Sequence, residues 1–164
     1  MIVYENPWFK VIRHDGYHFI DELNAKTGAA VLIQQGDDLL LLEMHRLSQG
    51  GERTYEIPRG YAEEGESSLD CARREVREET GYALAEEDLH LLGHIRPNTG
   101  LLTTRVALYF AVIPADADYL GRDDEARSVI TVPAAHVGDM LSKGDIEDSF
   151  TLAALCFLRF KEQI

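Results

Sequence analysis

The sequence predicts a layered α/β domain, and three observations lead to that prediction. Short apolar segments bounded by turn residues are typical of strands, and they occur on both sides of one helical stretch between Ser67 and Gly81. A second helical stretch, through about Phe160, follows the last strand. Because strands flank the first helix in the chain and another helix follows them, the two helices can cover opposite faces of one sheet.

The strands are predicted in chain order from apolar runs and turn signals. The first is a hairpin from Trp8 to Leu23, with Asp15-Gly16 at its turn. The later strands are Ala29 to Gln34, Leu39 to Met44, Thr54 to Ile57, Leu89 to Ile95, Arg105 to Ile113 and Val129 to Val132. Gly36-Asp37 is a further hairpin turn signal between the first two of these.

The helices are predicted from their end signals. Ser67 is a good N-cap whose spacing to Asp70 approximates a capping box, and Gly81 is a natural stop. A short helix is expected from Pro133 to near Gly144, because proline suits the first turn. The last helix is expected to be capped by Asp148 or Ser149.

Composition limits the class of protein. The chain has 164 residues, enough for one domain with a sizeable core, and its net charge of −13 argues against a sequence-tolerant nucleic-acid binder. No apolar run approaches the roughly 20 residues of a membrane span, and no secretory signal is evident at the start. We expect a cytoplasmic protein that binds neither nucleic acid nor membrane, with Cys71 and Cys156 as buried free thiols.

A cluster of glutamates on the first helix suggests a metal site. Glu75, Glu78 and Glu79 are three or four positions apart or adjacent, so they share one face of the helix. Neighbouring carboxylates repel one another, and a hard cation such as Mg²⁺ removes that cost while also binding substrate phosphates. The alternative is a solvated acidic helix face, which is the usual meaning of a charge run.

The wider pattern carries more information than the cluster alone. Eight fixed positions occur in one span: Gly60, Glu66, Arg74, Glu75, Val76, Glu78, Glu79 and Gly81. This stretch resembles the signature of the Nudix hydrolases, with Tyr82 as a soft departure where the family prefers an aliphatic residue. The resemblance implies a mixed sheet sandwiched between helices over residues 28–164. Residues 1–27 would then be an N-terminal β-hairpin extension and a possible dimer element.

The resemblance also implies roles for single residues. Glu75 and Glu79 would bind the metal, Glu78 would be a further or water-mediated ligand, and the carbonyl of Arg59 or Gly60 would join them. Arg74 would orient a catalytic carboxylate. The general base could be a box glutamate such as Glu78, or Glu125 in the acidic stretch Gly121-Arg-Asp-Asp-Glu125. The alternative for this stretch is a solvated acidic turn.

The substrate is suggested by weaker resemblances. Pro97, together with the segments Glu43 to Gly60 and Gly144 to Leu155, resembles the ADP-ribose pyrophosphatase subgroup. The expected partner is therefore a nucleotide sugar, cleaved with Mg²⁺ or Mn²⁺ as cofactor by a homodimeric enzyme. Arg46 and Arg59 would contact the substrate, and Trp8 could stack on its base or simply pack an interface. The alternatives are a nucleoside triphosphate sanitising pyrophosphatase and a non-catalytic nucleotide-sensing module.

Overall fold

The described parts of the chain contain ten β-strands and three α-helices. The computed structural model describes residues 1–23, 25–124 and 128–161. The strands form a three-stranded sheet and a seven-stranded sheet. Helices lie against both faces of the larger sheet, so the predicted α/β/α arrangement is confirmed.

The first sheet is antiparallel and contains more than the expected hairpin. Its strands are β1 (Ile2–Glu5), β2 (Phe9–His14) and β3 (Tyr17–Glu22), in that order. The predicted turn at Asp15-Gly16 is confirmed, and both residues have positive φ, as the tight turn requires. β1 was not predicted, because four residues at the chain start are too short to show a strand period.

The second sheet is mixed, as expected. Its strands are β4 (Thr27–Gln35), β5 (Asp38–His45), β6 (Arg53–Glu56), β7 (Arg59–Tyr61), β8 (His90–Ile95), β9 (Arg105–Ile113) and β10 (Ser128–Pro133). The strand order is β10-β5-β4-β9-β8, with β6 beside β5 and β7 beside β4. β4 and β9 are parallel, and the other pairs are antiparallel.

Alternate side chains of β4 divide the core between two helices. Ala29, Val31 and Ile33 face α1 (Ser68–Thr80), whereas Ala30 and Leu32 face α3 (Ser149–Lys161). A continuous apolar strand buried on both faces is the pattern expected for a central strand next to a parallel neighbour. No helix in the described part of the chain is long and apolar enough to cross a membrane.

The predicted helix ends agree with the structure except at one start. Pro133 ends β10 instead of opening a helix, and a 3-10 turn, Ala134–His136, precedes the second α-helix. Ser67 caps α1 by accepting a hydrogen bond from the Asp70 amide, and α2 (Val137–Lys143) ends at Gly144. Asp148 caps α3, since its carboxylate accepts from the Thr151 amide at 2.9 Å. Both cysteines are free, but Cys156 is exposed on α3, so the prediction that it is buried was wrong. Its helix has only one face against the sheet, and Cys156 lies off that face.

Main-chain hydrogen bonds join the first sheet to the connection between β8 and β9. The Ile20 amide of β3 donates to the Leu101 carbonyl at 2.7 Å, and the Thr103 amide donates to the Ile20 carbonyl at 3.2 Å. The division into an extension, residues 1–27, and a Nudix-type domain, residues 28–164, stays a prediction.

Candidate active site

A split in the larger sheet creates the place where the candidate site is built. β4 and β5 pair only near their hairpin turn, from Ile33–Leu40 to Gln35–Asp38, and then separate. β7 pairs with the free part of β4, and β6 pairs with the free part of β5. The segment around Pro58 therefore passes through the gap, and it brings β7 beneath α1.

Gly60 of β7 is required by the close approach of α1. A Cβ atom built on Gly60 would lie 1.9 Å from Oε1 of Glu75, well inside van der Waals contact. A Cβ on Gly28, in the neighbouring strand β4, would lie 2.4 Å from the Gly60 carbonyl oxygen. The backbone here is so crowded that only glycine lets the Glu75 carboxylate reach β7.

Glu79 reaches the preceding residue of β7. The Arg59 amide donates to Oε2 of Glu79 at 2.8 Å, and the Glu79 residue is only 2% exposed. Glu75 and Glu79 are one helical turn apart, so both carboxylates point from α1 to consecutive residues of the same strand. The burial of Cys71, Ala72 and Val76 against the sheet holds α1 in this rotation.

Arg74 joins three carboxylates of the box. Its Nε and Nη2 atoms each lie 3.0 Å from one oxygen of Glu66, and its Nη1 atom lies 2.6 Å from Glu75 and 3.1 Å from Glu78. Nη2 also donates to the Tyr61 carbonyl at 2.9 Å. These contacts lower the pKa of Glu66 and raise the pKa of Arg74, first of all through the Arg74–Glu66 hydrogen bonds.

The oxygen atoms of the box are suitable ligands for a hard divalent cation, although they do not surround one common point. Among the described residues, no three His, Cys, Asp or Glu side chains converge as a metal site. Arg74 instead neutralises Glu66, Glu75 and Glu78. The oxygens of Glu75 and Glu79 beside the β7 backbone are nevertheless the hard ligands that Mg²⁺ prefers.

Strand register indicates which carbonyl could join those carboxylates. The Val31 amide donates to the Pro58 carbonyl, and the Ala62 amide donates to the Thr27 carbonyl. Along an antiparallel strand, successive residues point their backbone N–H and C=O groups in alternate directions. The backbone groups of Gly60 therefore point towards β4, and those of Arg59 point away from β4. Of the two carbonyls expected from sequence, that of Arg59 is therefore on the Glu79 side.

The two expected substrate arginines line one cavity of about 400 Å³. They bind the same carboxylate, since Arg46 Nη2 lies 2.8 Å and Arg59 Nη2 lies 3.0 Å from Oε2 of Glu56. Glu56 is 2% exposed, and the Arg59 guanidinium lies over the Phe150 ring, 4.6 Å from its centroid. Sequence reasoning missed Glu56, whose only signal was a carboxylate in an otherwise half-buried strand before Ile57.

Two expected site residues are not brought into this cluster. Trp8 lies just before β2 in the first sheet and is 72% exposed. Glu125 lies outside the described residues, so its role stays a prediction. The acidic stretch that leads to it does approach the box, because the Asp123 amide donates to the main-chain carbonyl of Glu78 at 2.7 Å.

A family model for the NUDIX domain matches residues 24–152, which is most of the chain. The chain belongs to the Nudix hydrolase family. The box residues described above are thus the family signature in its folded form, and the sequence-based assignment to this family of enzymes is confirmed.

Two further similarities put this Nudix hydrolase in context. It is 47% identical over 51 residues to the NAD-capped RNA hydrolase NudC of Stutzerimonas stutzeri (strain A1501). That match covers 31% of this chain and only 17% of the relative. A crystal structure of an ADP compounds hydrolase matches with a TM-score of 0.77 at 20% identity, over 99% of this chain and 91% of the other. The second similarity shows that the fold is shared.

Proposed function

We propose that this Nudix hydrolase is a metal-dependent pyrophosphohydrolase of nucleoside-diphosphate sugars, with ADP-ribose as the leading substrate. The observation that carries the proposal is the pair Glu75 and Glu79, which α1 presents to consecutive residues of β7. Water would attack one phosphorus atom, and the bridging P–O bond would break. The products would be a nucleoside monophosphate and a sugar phosphate, and a protein carboxylate would take the water proton.

Glu75, Glu79 and the Arg59 carbonyl would hold Mg²⁺, for which Mn²⁺ could substitute. When bound, such an ion neutralises phosphate charge and lowers the pKa of coordinated water. The chain's own residues have distinct tasks around it. Arg74 fixes the direction of the carboxylates of Glu66, Glu75 and Glu78, and Glu78 is one candidate for the general base. Glu125, at the end of the acidic stretch, is the other.

The arginine cavity supports a diphosphate substrate. Arg46 and Arg59 enter it from two different strand ends, and Glu56 keeps both guanidinium groups in place. The Arg59 Nε atom is buried and has no hydrogen-bond partner among the described residues, so Arg59 keeps an unsatisfied donor beside the cavity. Because Arg59 also contributes its backbone to the Glu79 site, a phosphate bound by its side chain would lie near the carboxylates.

The name of the solved neighbour makes adenosine diphosphate compounds the first choice for testing. The name of the curated relative adds NAD to the panel. Base stacking on Trp8, a cytoplasmic location and a homodimeric state belong to the same proposal. Each rests on the sequence rather than on the geometry of the site.

The proposal is tested by product analysis on a substrate panel. Purified protein is incubated with ADP-ribose, other sugar nucleotides, NAD, dinucleoside polyphosphates and nucleoside triphosphates, with Mg²⁺ or with excess EDTA. We expect AMP and ribose 5-phosphate from ADP-ribose, with no turnover in EDTA. In H₂¹⁸O, the label on one product identifies which phosphorus the water attacked.

Other outcomes would select another function. Pyrophosphate release from triphosphates, with ADP-ribose untouched, would identify a triphosphate pyrophosphatase. Tight calorimetric binding of a nucleotide with no turnover of any compound would identify a sensing module. Full activity in excess EDTA would refute the metal-dependent chemistry.

A further inference from the structure

The segment from Tyr119 to Asp123 is docked against the C-terminal end of α1. Arg77, in the last turn of α1, donates from Nη1 to the Gly121 carbonyl and from Nη2 to the Leu120 carbonyl at 3.3 Å. Arg77 occupies a variable position inside the Nudix signature, between Val76 and Glu78, and the site described above does not use it.

Main-chain hydrogen bonds fix the same segment to the helix end. The Leu120 amide donates to the Gly81 carbonyl at 2.8 Å, and the Asp123 amide donates to the Glu78 carbonyl at 2.7 Å. The last carbonyls of an α-helix have no partner within the helix, so they bind outside donors readily. The segment therefore acts as a C-terminal cap for the helix that carries the metal-site glutamates.

Aromatic packing completes the docking. A Cβ atom on Gly81 would lie 2.4 Å from Cε2 of Tyr119, so the glycine leaves room for this ring. Tyr119 also meets Tyr82 edge-on, with ring centroids 6.1 Å apart. The segment is thus held by a side-chain cation, two main-chain bonds and a packed ring.

Electrostatics explain why a cation is needed here. The C-terminal end of a helix carries partial negative charge, and α1 adds the exposed carboxylate of Glu78 there. The docked segment brings two exposed acids, Asp123 and Asp124, and one cation, Arg122, to this negative end, so the acids exceed the segment's own positive charge. Arg77 offsets the repulsion, because its guanidinium lies in the last turn and binds the segment directly.

We propose that Arg77 is a positioning residue, which holds Asp123 and Asp124 in register with Glu78 so that a carboxylate of this segment can accept the proton of the attacking water. This rests on the proposed function. Arg77 itself touches neither substrate nor metal. Its effect is exerted through the carbonyls of Leu120 and Gly121, which fix where the following acids begin.

The test compares Arg77→Ala and Arg77→Lys with a matched control, Arg73→Ala. Arg73 lies one turn earlier on α1, and its Nε donates to the Leu84 carbonyl at 3.0 Å, in a different segment. For Arg77→Ala we expect kcat on ADP-ribose to fall at least about 10-fold, part of the roughly 10²- to 10⁴-fold that a positioned base contributes. KM and the Mg²⁺ concentration for half-maximal rate should change less than about 2-fold. Arg77→Lys should recover part of kcat, and Arg73→Ala should retain it.

A second measurement shows whether Arg77 acts through the acids. In a protein that already carries Asp123→Asn, Asp124→Asn and Glu125→Gln, adding Arg77→Ala should cost little further kcat, because coupled residues are not additive. A full additional loss in that background would overturn the proposal. So would a kcat for Arg77→Ala that matches the Arg73→Ala control.

Amide hydrogen exchange measures the docking of the segment from Tyr119 to Asp123 independently of enzyme activity. The amides of Leu120 and Asp123 should exchange faster in Arg77→Ala than in Arg73→Ala, with or without substrate. Unchanged exchange would overturn the docking, whatever the kinetics. A wild-type protein that hydrolyses nothing on the panel would instead refute the proposed function and the effect of Arg77 on turnover. Hydrogen exchange would then measure the docking alone.

Discussion

Glu79 combines a buried carboxylate with a hydrogen bond from the strand below it. Its residue is 2% exposed, and the Arg59 amide is one of its partners. A buried charge needs compensation, which hydrogen bonds supply only in part. In the proposed function the same oxygen atoms bind Mg²⁺, which would offset the cost of burying this charge.

This predicts the effect of Glu79→Gln. The amide oxygen can still accept from Arg59, whereas the negative charge is lost. We expect kcat/KM to fall by more than about 10- to 100-fold, the cost of losing an outer-shell partner of a metal ligand, because Glu79 is proposed as a ligand itself. The melting temperature should be unchanged or slightly raised. Steady-state kinetics across Mg²⁺ concentrations and thermal denaturation measure both effects.

Glu87→Gln is the matched control for Glu79→Gln. It removes the same charge from an exposed position outside the signature. Its kinetics should match the wild type. Normal kinetics for Glu79→Gln itself would rule out Glu79 as an essential ligand.

The lowered pKa of Glu66 makes the stability of the fold depend on pH. Its pKa is lowered from 4.5, mainly by the hydrogen bonds from Arg74. A lowered folded-state pKa stabilises the protein above the unfolded pKa, and this contribution is lost as pH falls through the folded value. Between about pH 5 and pH 3, urea midpoints of the wild type should therefore fall more steeply than those of Glu66→Gln. Glu64→Gln, an exposed neighbour, should follow the wild-type curve, and parallel curves for all three proteins would contradict the assignment.

At the scale of elements, β7 shows where sequence reasoning stopped. The stretch Arg59–Tyr61 is only three residues long and follows a proline, so it reads as a turn. It becomes a strand because β4 and β5 separate and leave the polar edge of β4 open. Such a separation of two strands depends on contacts between distant parts of the chain, so the local amino-acid sequence does not predict it.

The end of α1 predicts a difference between two similar glycines. Gly81 and Gly144 both end a helix with positive φ, at +80° and +76°. Alanine at either position should lower the free energy of unfolding by about 1 kcal/mol, because the backbone is left-handed there. At Gly81 the new Cβ would also lie 2.4 Å from Tyr119, whereas at Gly144 its nearest neighbour is 3.4 Å away.

Gly81→Ala should therefore cost about 1–3 kcal/mol more than Gly144→Ala, the usual penalty of overpacking. Urea denaturation of both variants measures the difference. Gly81→Ala should also speed hydrogen exchange at Leu120, since its amide donates to the Gly81 carbonyl. Equal costs for the two variants would mean that Tyr119 moves aside freely.

At the scale of the whole molecule, the sequence predicted the family, the sheet type and most element boundaries. Those depend on local apolar periods, turn glycines and the fixed spacing of the box. The side-chain partners were not predictable, because they join distant segments. Arg46 and Arg59 share Glu56, and Arg74 contacts Glu66 and two helix glutamates, so three arginines meet carboxylates at the site. The net charge of −13 gave no hint of this local arrangement.

The first sheet is also connected to the box, which makes its surface important for the whole molecule. The Tyr61 hydroxyl, one residue after Gly60, donates to Oε1 of Glu22 on β3 at 3.2 Å. Burial, followed by the charge of Glu22, raises the pKa of Tyr61. The Thr104 hydroxyl donates to the other oxygen of Glu22. A partner that bound the first sheet would therefore contact an element fixed directly to the site.

We expect the protein to form a homodimer through strand β1 of the first sheet. Within the described residues β1 pairs only with β2, so its other edge offers unpaired backbone groups. Val3, Tyr4 and Trp8 are exposed apolar side chains on or beside that strand. We expect sedimentation equilibrium to give a dimer, with Val3→Glu and Trp8→Ser shifting it towards monomer. Leu47→Ser, an equally apolar site that is 95% exposed but outside the first sheet, should remain dimeric.

A wild-type monomer at all concentrations would contradict the prediction. If Trp8→Ser instead raises KM for ADP-ribose while the dimer persists, the indole binds the base rather than a second chain.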